Sequence, residues 1–496
     1  MQNIRRTNVV GLLFVVSIIA SKMLFAAEAV SSHPNIVLIV TDDMGYADMR
    51  CQGGGFDTPN LDQMAAEGTR FTDFYVAQPV CTASRAAFLS GCYPNRVSLQ
   101  GALNHTSKNG IHPDEWLLPE MLQARGYATS GMGKWHLGTV QEFGPLRNGF
   151  DEWLGIPYSN DNSKYHPVLG DVMPPLPFYD GEKVIEFDAD QSLFTRRFTE
   201  RAVSFIERNK ENPFFLYMPH VMPHVPIFAS DEFEGKSGSG LYADVIQELD
   251  WSVGEVLTTL KRLKLDTNTL IIFFSDNGAW LSYGEHAGSN TPLREGKLTT
   301  FEGGVRVPCV MRWPRHVPAG RVCAEPVMSI DLLPTIAELT GGKMPSRPID
   351  GKSITPLLLG EKGAQTPHEA LFFFAGTELQ AVRSGPWKLH FAHPYITTRA
   401  EPGRGGKPSG WGTYESQSIT QSGIEGIASR HGGKVVSIEQ SLFNLHDDPG
   451  EQRNVAADHP EEVHRLMTMA DTIRSELGDS LSGRQGSAVR TAGMVP

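Results

Sequence analysis

Short apolar runs alternate along the chain with segments whose apolar residues recur at helical spacing. This alternation is typical of a parallel β-sheet covered by helices on both faces. The runs predict buried strands over Asn35–Val40, Tyr127–Met132, Pro213–Met218 and Leu270–Phe274. Longer amphipathic helices are predicted over Phe194–Asn209 and Tyr242–Leu263. We therefore predict an α/β fold with a large, mixed but mainly parallel sheet sandwiched by helices.

Polar side chains follow each of these apolar runs at the point where the predicted strand ends. They are Asp42 and Asp43, Lys134 and His136, His220 and His224, and Asp276 and Asn277. In open α/β sheets, ligands bind beyond the carboxyl ends of the parallel strands. The sequence therefore predicts that four separate stretches contribute to a single site.

The pattern changes after about residue 345, where short strand-like runs replace the alternating pattern. Strands are predicted over Ala370–Phe374, Ala381–Val382, Trp387–Phe391 and Leu442–Leu445, and a closing helix over Pro460–Leu477. A Gly/Ser-rich loop is expected over Pro402–Gly433, and the last dozen residues are expected to be disordered. We predict a catalytic domain over residues 30–345 and a smaller C-terminal α+β domain with an antiparallel sheet over residues 346–496.

The N-terminal residues have the features of an export signal. Arg5 and Arg6 precede the apolar run Val9–Ala20, and Ala27-Glu28-Ala29 offers a cleavage site. We predict a signal peptide over residues 1–29, a periplasmic or secreted protein, and no transmembrane segment in the mature chain. An uncleaved membrane anchor is the alternative.

The net charge of the chain indicates which kinds of ligand it can bind. The formal charge of −12 excludes general nucleic-acid binding, because an acidic surface repels phosphate. An anionic substrate must therefore be captured by a local cationic pocket.

The chain has five cysteines, which are too few for a disulfide scaffold. Cys309 and Cys323 could form a disulfide or remain free thiols.

The segment Cys81-Thr82-Ala83-Ser84-Arg85 places a cysteine at the start of a predicted helix, with a guanidinium one turn later. Both the helix N-terminus and the arginine favour anionic oxygen or sulfur. By itself this arrangement also fits an ordinary structural cysteine.

With its continuation into Leu89-Ser90-Gly91, this segment resembles the maturation motif of type I sulfatases, in the branch of arylsulfatase A and N-acetylgalactosamine-6-sulfatase. Further matching motifs occur in the same order at Pro34–Val37, Thr41–Asp43, Gly131–Gly138, Ser275–Gly278, Gly296-Lys297, Phe301–Arg306 and Leu442–Leu445. The resemblance implies an alkaline phosphatase-like fold and hydrolysis of sulfate monoesters. It also implies that a formylglycine-generating enzyme oxidises Cys81, and that hydrolysis passes through a sulfated residue 81.

The acidic pairs indicate a metal site. Asp42, Asp43, Asp276 and Asn277 are oxygen donors, and no imidazole or thiolate is evident beside them in the sequence. Such a set selects Ca²⁺ or Mg²⁺ over zinc. The resemblance favours calcium, with Mg²⁺ as the alternative, and adds residue 81 to the ligands. Solvated turns are the simpler interpretation of each pair taken alone.

The resemblance also implies roles for the remaining polar residues. Lys134 and Lys297 would neutralise sulfate oxygens, and Arg85 would hold the hydrated aldehyde. His136 would act as a base on residue 81. His224 would protonate the leaving oxygen, with His220 as its competitor, and Ser159 would contact sulfate.

The substrate is expected to be a sulfated small molecule or glycan, most simply a sulfated carbohydrate. The loops that would select it, Asn162–Asp190, Leu281–Asn290 and Pro402–Gly433, show no recognisable pattern. Two alternatives stay open: a phosphate mono- or diester hydrolase of the same superfamily, and an inactive glycan-binding homologue.

Overall fold

A ten-stranded mixed sheet forms the centre of the fold in a computed structural model, which describes residues 33–416 and 423–495. The strands among these residues are β1 (Asn35–Thr41), β2 (Thr69–Phe71), β3 (Phe74–Tyr75), β4 (Asn109–Gly110), β5 (Ala128–Lys134), β6 (Glu152–Ile156), β7 (Pro177–Asp180), β8 (Lys183–Phe187), β9 (Phe214–Pro219), β10 (Thr269–Ser275), β11 (Cys309–Arg312), β12 (Arg321–Cys323), β13 (Val327–Met328), β14 (Leu371–Ala375), β15 (Glu378–Ser384), β16 (Trp387–His390), β17 (His393–Thr398), β18 (Gly433–Ile438), β19 (Ser441–Asn444) and β20 (Gly493–Met494).

The α-helices in the same residues cover the sheet or close the C-terminal region. They are α1 (Pro59–Ala66), α2 (Cys81–Ser90), α3 (Leu118–Ala124), α4 (Phe194–Arg208), α5 (Leu241–Arg262), α6 (Glu302–Val305), α7 (Leu332–Thr340), α8 (Thr355–Leu358), α9 (Ile424–Arg430) and α10 (Pro460–Leu477).

The large sheet has the strand order β12-β2-β11-β10-β1-β9-β5-β6-β7-β8. Its central strands β10, β1, β9, β5 and β6 are parallel to their neighbours in this group, whereas β11, β7 and β8 pair antiparallel. Strands β1, β9 and β10 are buried along their whole length, which explains their continuous apolar runs. The predicted mixed, mainly parallel sheet is confirmed.

Two apolar layers lie on the two faces of this sheet. Along β1, Ile36, Leu38 and Val40 belong to one cluster, and Val37 and Ile39 belong to the other. The first cluster includes residues of α2, α3 and α7, and the second includes residues of α1, α4 and α5. Successive side chains on a strand point to opposite faces, so each strand residue supports one helical layer. The sheet is therefore sandwiched by helices, as the sequence predicts.

The C-terminal region carries the predicted antiparallel sheet, in the order β14-β15-β16-β19, with α10 contacting β15 and β16. The long loop predicted over Pro402–Gly433 was wrong in part, because α9 forms inside it and packs against β18. The disorder predicted for the last dozen residues was also wrong. Strand β20 pairs with β4, and Arg490 forms an ion pair with the buried Glu115 at 2.7 Å.

The predicted central strands lie within one or two residues of the observed ones. The largest difference is at β5, which continues through Lys134 rather than ending at Met132, so that Lys134 is the last residue of the strand itself. Extended pairing with β6 persists to this point and holds the Lys134 backbone in register with Ile156.

All five cysteines are free thiols. Cys309 on β11 and Cys323 on β12 are both register partners of Phe71, on opposite sides of β2. Two strand spacings separate their Cα atoms by roughly 9–10 Å, beyond the reach of a disulfide. The alternative of a Cys309–Cys323 bridge is thereby excluded.

The predicted signal peptide over residues 1–29 lies outside the described residues. Within residues 33–416 and 423–495, no helix has the length and apolar character needed to cross a membrane. The division into domains at residue 345 stays a prediction.

Candidate active site

The carboxyl ends of β1 and β10 bring two acidic pairs together. These strands are parallel neighbours, with Thr41 in register with Ser275, so Asp42 and Asp43 follow one strand beside Asp276 and Asn277 on the other. The backbone N–H of Asp43 donates to Asp276 Oδ1 at 3.3 Å, and Asn277 Nδ2 donates to Asp43 Oδ1 at 2.7 Å. All four side chains are buried.

Cys81 is the first residue of α2, directly after Val80, whose extended backbone marks the beginning of the helix. The whole helix is buried, so its first turn lies in the protein interior rather than in solvent. Burial raises the pKa of the Cys81 thiol, and the nearby Lys134 and Lys297 oppose this shift. The unmodified cysteine is therefore a neutral thiol, and it marks the position at which an oxidised residue 81 would lie.

Arg85, one turn into the same helix, joins the acidic pairs to the β5 strand end. Its Nη2 lies 3.1 Å from Asp42 Oδ2 and 2.8 Å from Asp276 Oδ2, and its Nη1 donates to the Lys134 carbonyl at 2.9 Å. Burial disfavours the charged guanidinium, but Asp276 and Asp42 outweigh this effect and raise the pKa of Arg85. Arg85 thus stays cationic and neutralises part of the acidic cluster.

Two lysines complete the charged centre. Lys134 Nζ lies 2.6 Å from Asp42 Oδ2 and 3.3 Å from Ser159 Oγ. Lys297 Nζ lies 2.6 Å from Asp43 Oδ1 and 4.2 Å from the ring centre of Trp280. Both ammonium groups are buried, and the pKa of each is raised because the carboxylates outweigh the penalty of burial.

His224 lies in this centre, whereas His220 does not contact it. His224 Nε2 is 3.8 Å from Asp43 Oδ2 and 3.4 Å from Ser159 Oγ, while its Nδ1 bonds the Val225 carbonyl at 2.6 Å. Burial and then Lys297 lower the pKa of His224 to about 3. His220 Nε2 instead lies 3.4 Å from Ser252 Oγ of α5.

His136 follows β5 with a left-handed backbone, φ 62°, an uncommon conformation for a non-glycine residue. Its Nε2 bonds the Leu103 carbonyl at 2.6 Å, and the Leu103 N–H bonds Thr82 in the first turn of α2. His136 is therefore tied to the start of the helix that carries Cys81. Its Nδ1 is buried without a hydrogen-bond partner among the described residues.

Three carboxylates in the site contact three cations, but the carboxylates differ in how strongly their charge is compensated. Burial, and then Asp42 and Asp276, raise the pKa of Asp43 to about 7 against the effect of Lys297. Burial and Asp42 also raise the pKa of Asp276. By contrast, the pKa of Asp42 is held far below its usual range, because Lys134 and Arg85 outweigh the burial of this carboxyl.

The donor set fits a divalent cation. Asp42 Oδ1 and Asn277 Oδ1 are buried and have no hydrogen-bond partner among the described residues, which leaves two oxygens for a ligand. Asp42, Asp43 and His224 place one ligand atom each within 4.8 Å of one another. The expectation that no imidazole accompanies the aspartates is wrong, because His224 follows β9, the neighbour of β1. Cys81 and Asp276 are not part of this group of three.

Sequence analysis missed a second polar group, which extends from the site into the loops. Trp280 lies between His224 and His431, with ring centres 5.5 Å and 4.3 Å away, and Asp161 and His166 lie close to His431. Because Asp161 is two residues after Ser159, its position in the sequence could have indicated that it lies near the site. His431 had none, since it lies at the end of the unpredicted helix α9.

Comparison with known proteins identifies the family of this chain. Residues 34–342 match the model of the Sulfatase family, and residues 366–489 match the model of the C-terminal region of aryl-sulfatase. N-acetylgalactosamine-6-sulfatase of Sus scrofa is 40% identical over 72% of this chain and 72% of its own length. Arylsulfatase A of Bos taurus is 37% identical over 87% of this chain and 85% of its own length.

A solved structure extends the likeness to the whole fold. Ps i-CgsB in complex with k-i-k-neocarrahexaose is 29% identical, with a TM-score of 0.68, and the match covers 89% of this chain and 92% of that one. The family model alone spans more than half of the chain. The chain described here therefore belongs to the sulfatase family, whose members are sulfuric ester hydrolases.

Proposed function

We propose that this chain hydrolyses sulfate monoesters of a sulfated carbohydrate after Cys81 has been oxidised to formylglycine. The observation that carries the proposal is the pair of buried ammonium groups of Lys134 and Lys297. They contact Asp42 and Asp43, and Arg85, in the helix that Cys81 begins, contacts the same Asp42. In a chain with a net charge of −12, these ammonium groups supply the local positive charge that an anionic ester needs.

The oxidation changes what residue 81 can do. A buried thiol with a raised pKa is a poor nucleophile. Formylglycine, in its hydrated form, would supply one hydroxyl that attacks sulfur as the S–O bond to the alcohol breaks and the alcohol leaves with a proton. Deprotonation of the second hydroxyl would then expel sulfate and regenerate the aldehyde. A formylglycine-generating enzyme is the partner that would carry out the oxidation.

We assign proton transfer to the two histidines of the site. Nδ1 of His224 donates to the Val225 carbonyl, so its Nε2 faces Ser159 and Asp43. When Nε2 is protonated, it can donate this proton to the leaving oxygen. His136 donates from Nε2 to Leu103 and keeps Nδ1 as an acceptor, which suits a base acting on residue 81. Ser159, between Lys134 and His224, would orient a sulfate oxygen.

We propose Ca²⁺ as the metal, held by Asp42, Asp43, Asp276, Asn277 and residue 81. The unpartnered oxygens of Asp42 and Asn277 support a hard cation, and Mg²⁺ is the alternative. The cation would add positive charge beside the sulfuryl oxygens. Arg85 and Lys134 hold Asp42 in the ionised form that such a site requires.

A carbohydrate substrate is supported by the relatives. One bears the name N-acetylgalactosamine-6-sulfatase, and the solved structure of Ps i-CgsB holds k-i-k-neocarrahexaose. We further propose that the chain is exported to the periplasm or secreted, as residues 1–29 predict. Fractionation of cells that produce the full chain, followed by N-terminal sequencing of the product, tests this point.

The test of function uses full-length protein produced together with a formylglycine-generating enzyme. Mass spectrometry of the peptide that contains residue 81 verifies the oxidation, and sulfate release is then measured from sulfated mono- and oligosaccharides. We expect Cys81→Ala to abolish release, whereas the control Cys51→Ala, which removes a thiol outside the site, keeps it. Unchanged release by Cys81→Ala would contradict the proposal. So would faster turnover of phosphate esters by verified enzyme.

A further inference from the structure

His166 presents a hydrogen-bond donor that nothing in the described chain accepts. Its Nδ1 accepts the backbone N–H groups of Val168 and Leu169, both at 3.0 Å, so the neutral ring must carry its proton on Nε2. That Nε2 is buried and has no partner among the described residues, and the side chain is only 4% exposed. A buried donor of this kind indicates a ligand acceptor.

This donor lies at the end of a row of rings that begins at the reaction centre. The ring centres of His224 and Trp280 are 5.5 Å apart, those of Trp280 and His431 are 4.3 Å apart, and those of His431 and His166 are 5.9 Å apart. His431 is held in place by Tyr283, whose hydroxyl bonds its Nδ1 at 2.9 Å. The row therefore leads from the proposed leaving-group histidine into the adjoining loops.

Asp161 supplies an acceptor beside this donor. Its carboxylate is buried and receives one hydrogen bond from Asn162 Nδ2 at 2.9 Å. The electrostatic neighbours of this carboxyl include His224, His166 and His431. A carboxyl acceptor and an imidazole N–H donor thus belong to one buried polar group, and Asp161 follows Ser159, which contacts Lys134 and His224, by two positions.

We propose that Asp161 and His166 bind hydroxyl groups of the sugar ring that carries the sulfate ester. A hydroxyl both donates and accepts, so it matches a carboxylate and an N–H donor together. A second sulfate or a carboxylate at the same place would meet the charge of Asp161 and be repelled. This inference rests on the proposed function. It adds that the enzyme prefers substrates whose sulfated ring carries a free hydroxyl at this place over substrates that carry an anionic group there.

The test compares two substrates with the matured full-length enzyme: a sulfated monosaccharide and 4-nitrophenyl sulfate, which has no sugar hydroxyls. Loss of a buried charge-assisted hydrogen bond should lower kcat/KM on the sugar by about 10- to 100-fold in Asp161→Asn. His166→Asn should act in the same direction, because Asn Oδ1 can still accept from Val168 and Leu169 while the Nε2 donor is lost. On the aryl sulfate, the loss should be several-fold smaller for both variants.

Asp171→Asn is the matched control, since it removes the same charge from an exposed side chain of the same segment. We expect it to leave the ratio of sugar to aryl activity unchanged. Deoxy sugars, in which one hydroxyl is replaced by hydrogen, identify the contacted group. At one ring position, this replacement should lower kcat/KM of the wild type as much as Asp161→Asn lowers it on the complete sugar. The variant should then show no further loss on that deoxy sugar. A sugar with a second sulfate at that position should be a poor substrate.

Three results would overturn the inference: equal losses on both substrates, full activity of wild type on every deoxy sugar, or efficient hydrolysis of the disulfated sugar. Failure of the proposed function gives a different result. In that case wild type with verified formylglycine would release sulfate from neither substrate, which would overturn the function and this inference together.

Discussion

Arg85 and Asp276 form a buried ion pair, with Nη2 2.8 Å from Oδ2, although they are 191 positions apart in the chain. Neither side chain has exposed surface. The same Nη2 also lies 3.1 Å from Asp42, so a single guanidinium joins the ends of β1 and β10. Buried charges without a partner cost several kcal/mol. The charge balance of the site therefore contributes to stability as well as to chemistry.

Arg85→Ala should lower the free energy of unfolding by about 3–5 kcal/mol, because it removes the cationic partner of the buried Asp276 and one of the two cationic partners of Asp42. Denaturant unfolding monitored by fluorescence measures this change. The control Arg50→Ala removes an exposed ion pair with Asp57 and should cost less than about 1 kcal/mol. Equal losses in the two variants would show that the buried pair has no special role.

Removal of the bound cation should lower the melting temperature and abolish sulfate release. Asp42, Asp43 and Asp276 crowd negative charge, and a cation that binds only the folded state stabilises it. Thermal unfolding with a chelator, and then with added Ca²⁺ or Mg²⁺, measures the effect, with the larger recovery expected for Ca²⁺. In Asn277→Ala, which loses one free oxygen, the recovery should require more Ca²⁺. A melting temperature insensitive to the chelator would contradict the proposed metal.

Lys388→Met should destabilise the junction between the C-terminal sheet and α6. Lys388 Nζ lies 2.8 Å from Glu302 and 3.1 Å from Glu451, and all three side chains are fully buried. Removing the cation leaves two adjacent carboxylates in the interior, at a cost of about 3–5 kcal/mol. Lys362→Met, at an exposed position, is the control for denaturant unfolding. A change below about 1 kcal/mol for Lys388→Met would mean that the surrounding structure compensates.

Stability should fall as the pH rises through neutrality, because of Glu451. Burial, with Glu302 adding to it, raises the pKa of Glu451 from 4.5 to about 7. The folded state therefore binds this proton more tightly, and its contribution is complete below pH 4.5 and lost as the pH rises through 7.

Melting temperatures between pH 5 and 8 measure this dependence. Glu451→Gln should make it shallower, with a remaining slope because the pKa of Asp43 is also raised to about 7. Glu439→Gln, at an exposed carboxyl, should leave it as in wild type. An equally steep profile in Glu451→Gln would assign the dependence to other groups.

Much of the fold could be predicted because its signals are local. Strands β1, β9 and β10 are buried on both faces, so the chain shows continuous apolar runs there. Helix α10 has the predicted bounds, since Pro460 begins it and its apolar residues keep helical spacing. Helix α9 was missed because its glycine-rich surroundings resemble a loop, and its packing against β18 is what stabilises it.

The sequence by itself determined the four central parallel strands and the residue types that follow them. Polar residues after buried parallel strands must meet at one edge, so Asp42, Lys134 and Asp276 could be placed together without coordinates. Only the tertiary structure decided that His224 joins the aspartates and that Asp161, His166 and His431 form a second polar group. These contacts join loops far apart in the chain, and their approach depends on the packing of whole layers rather than on any local pattern.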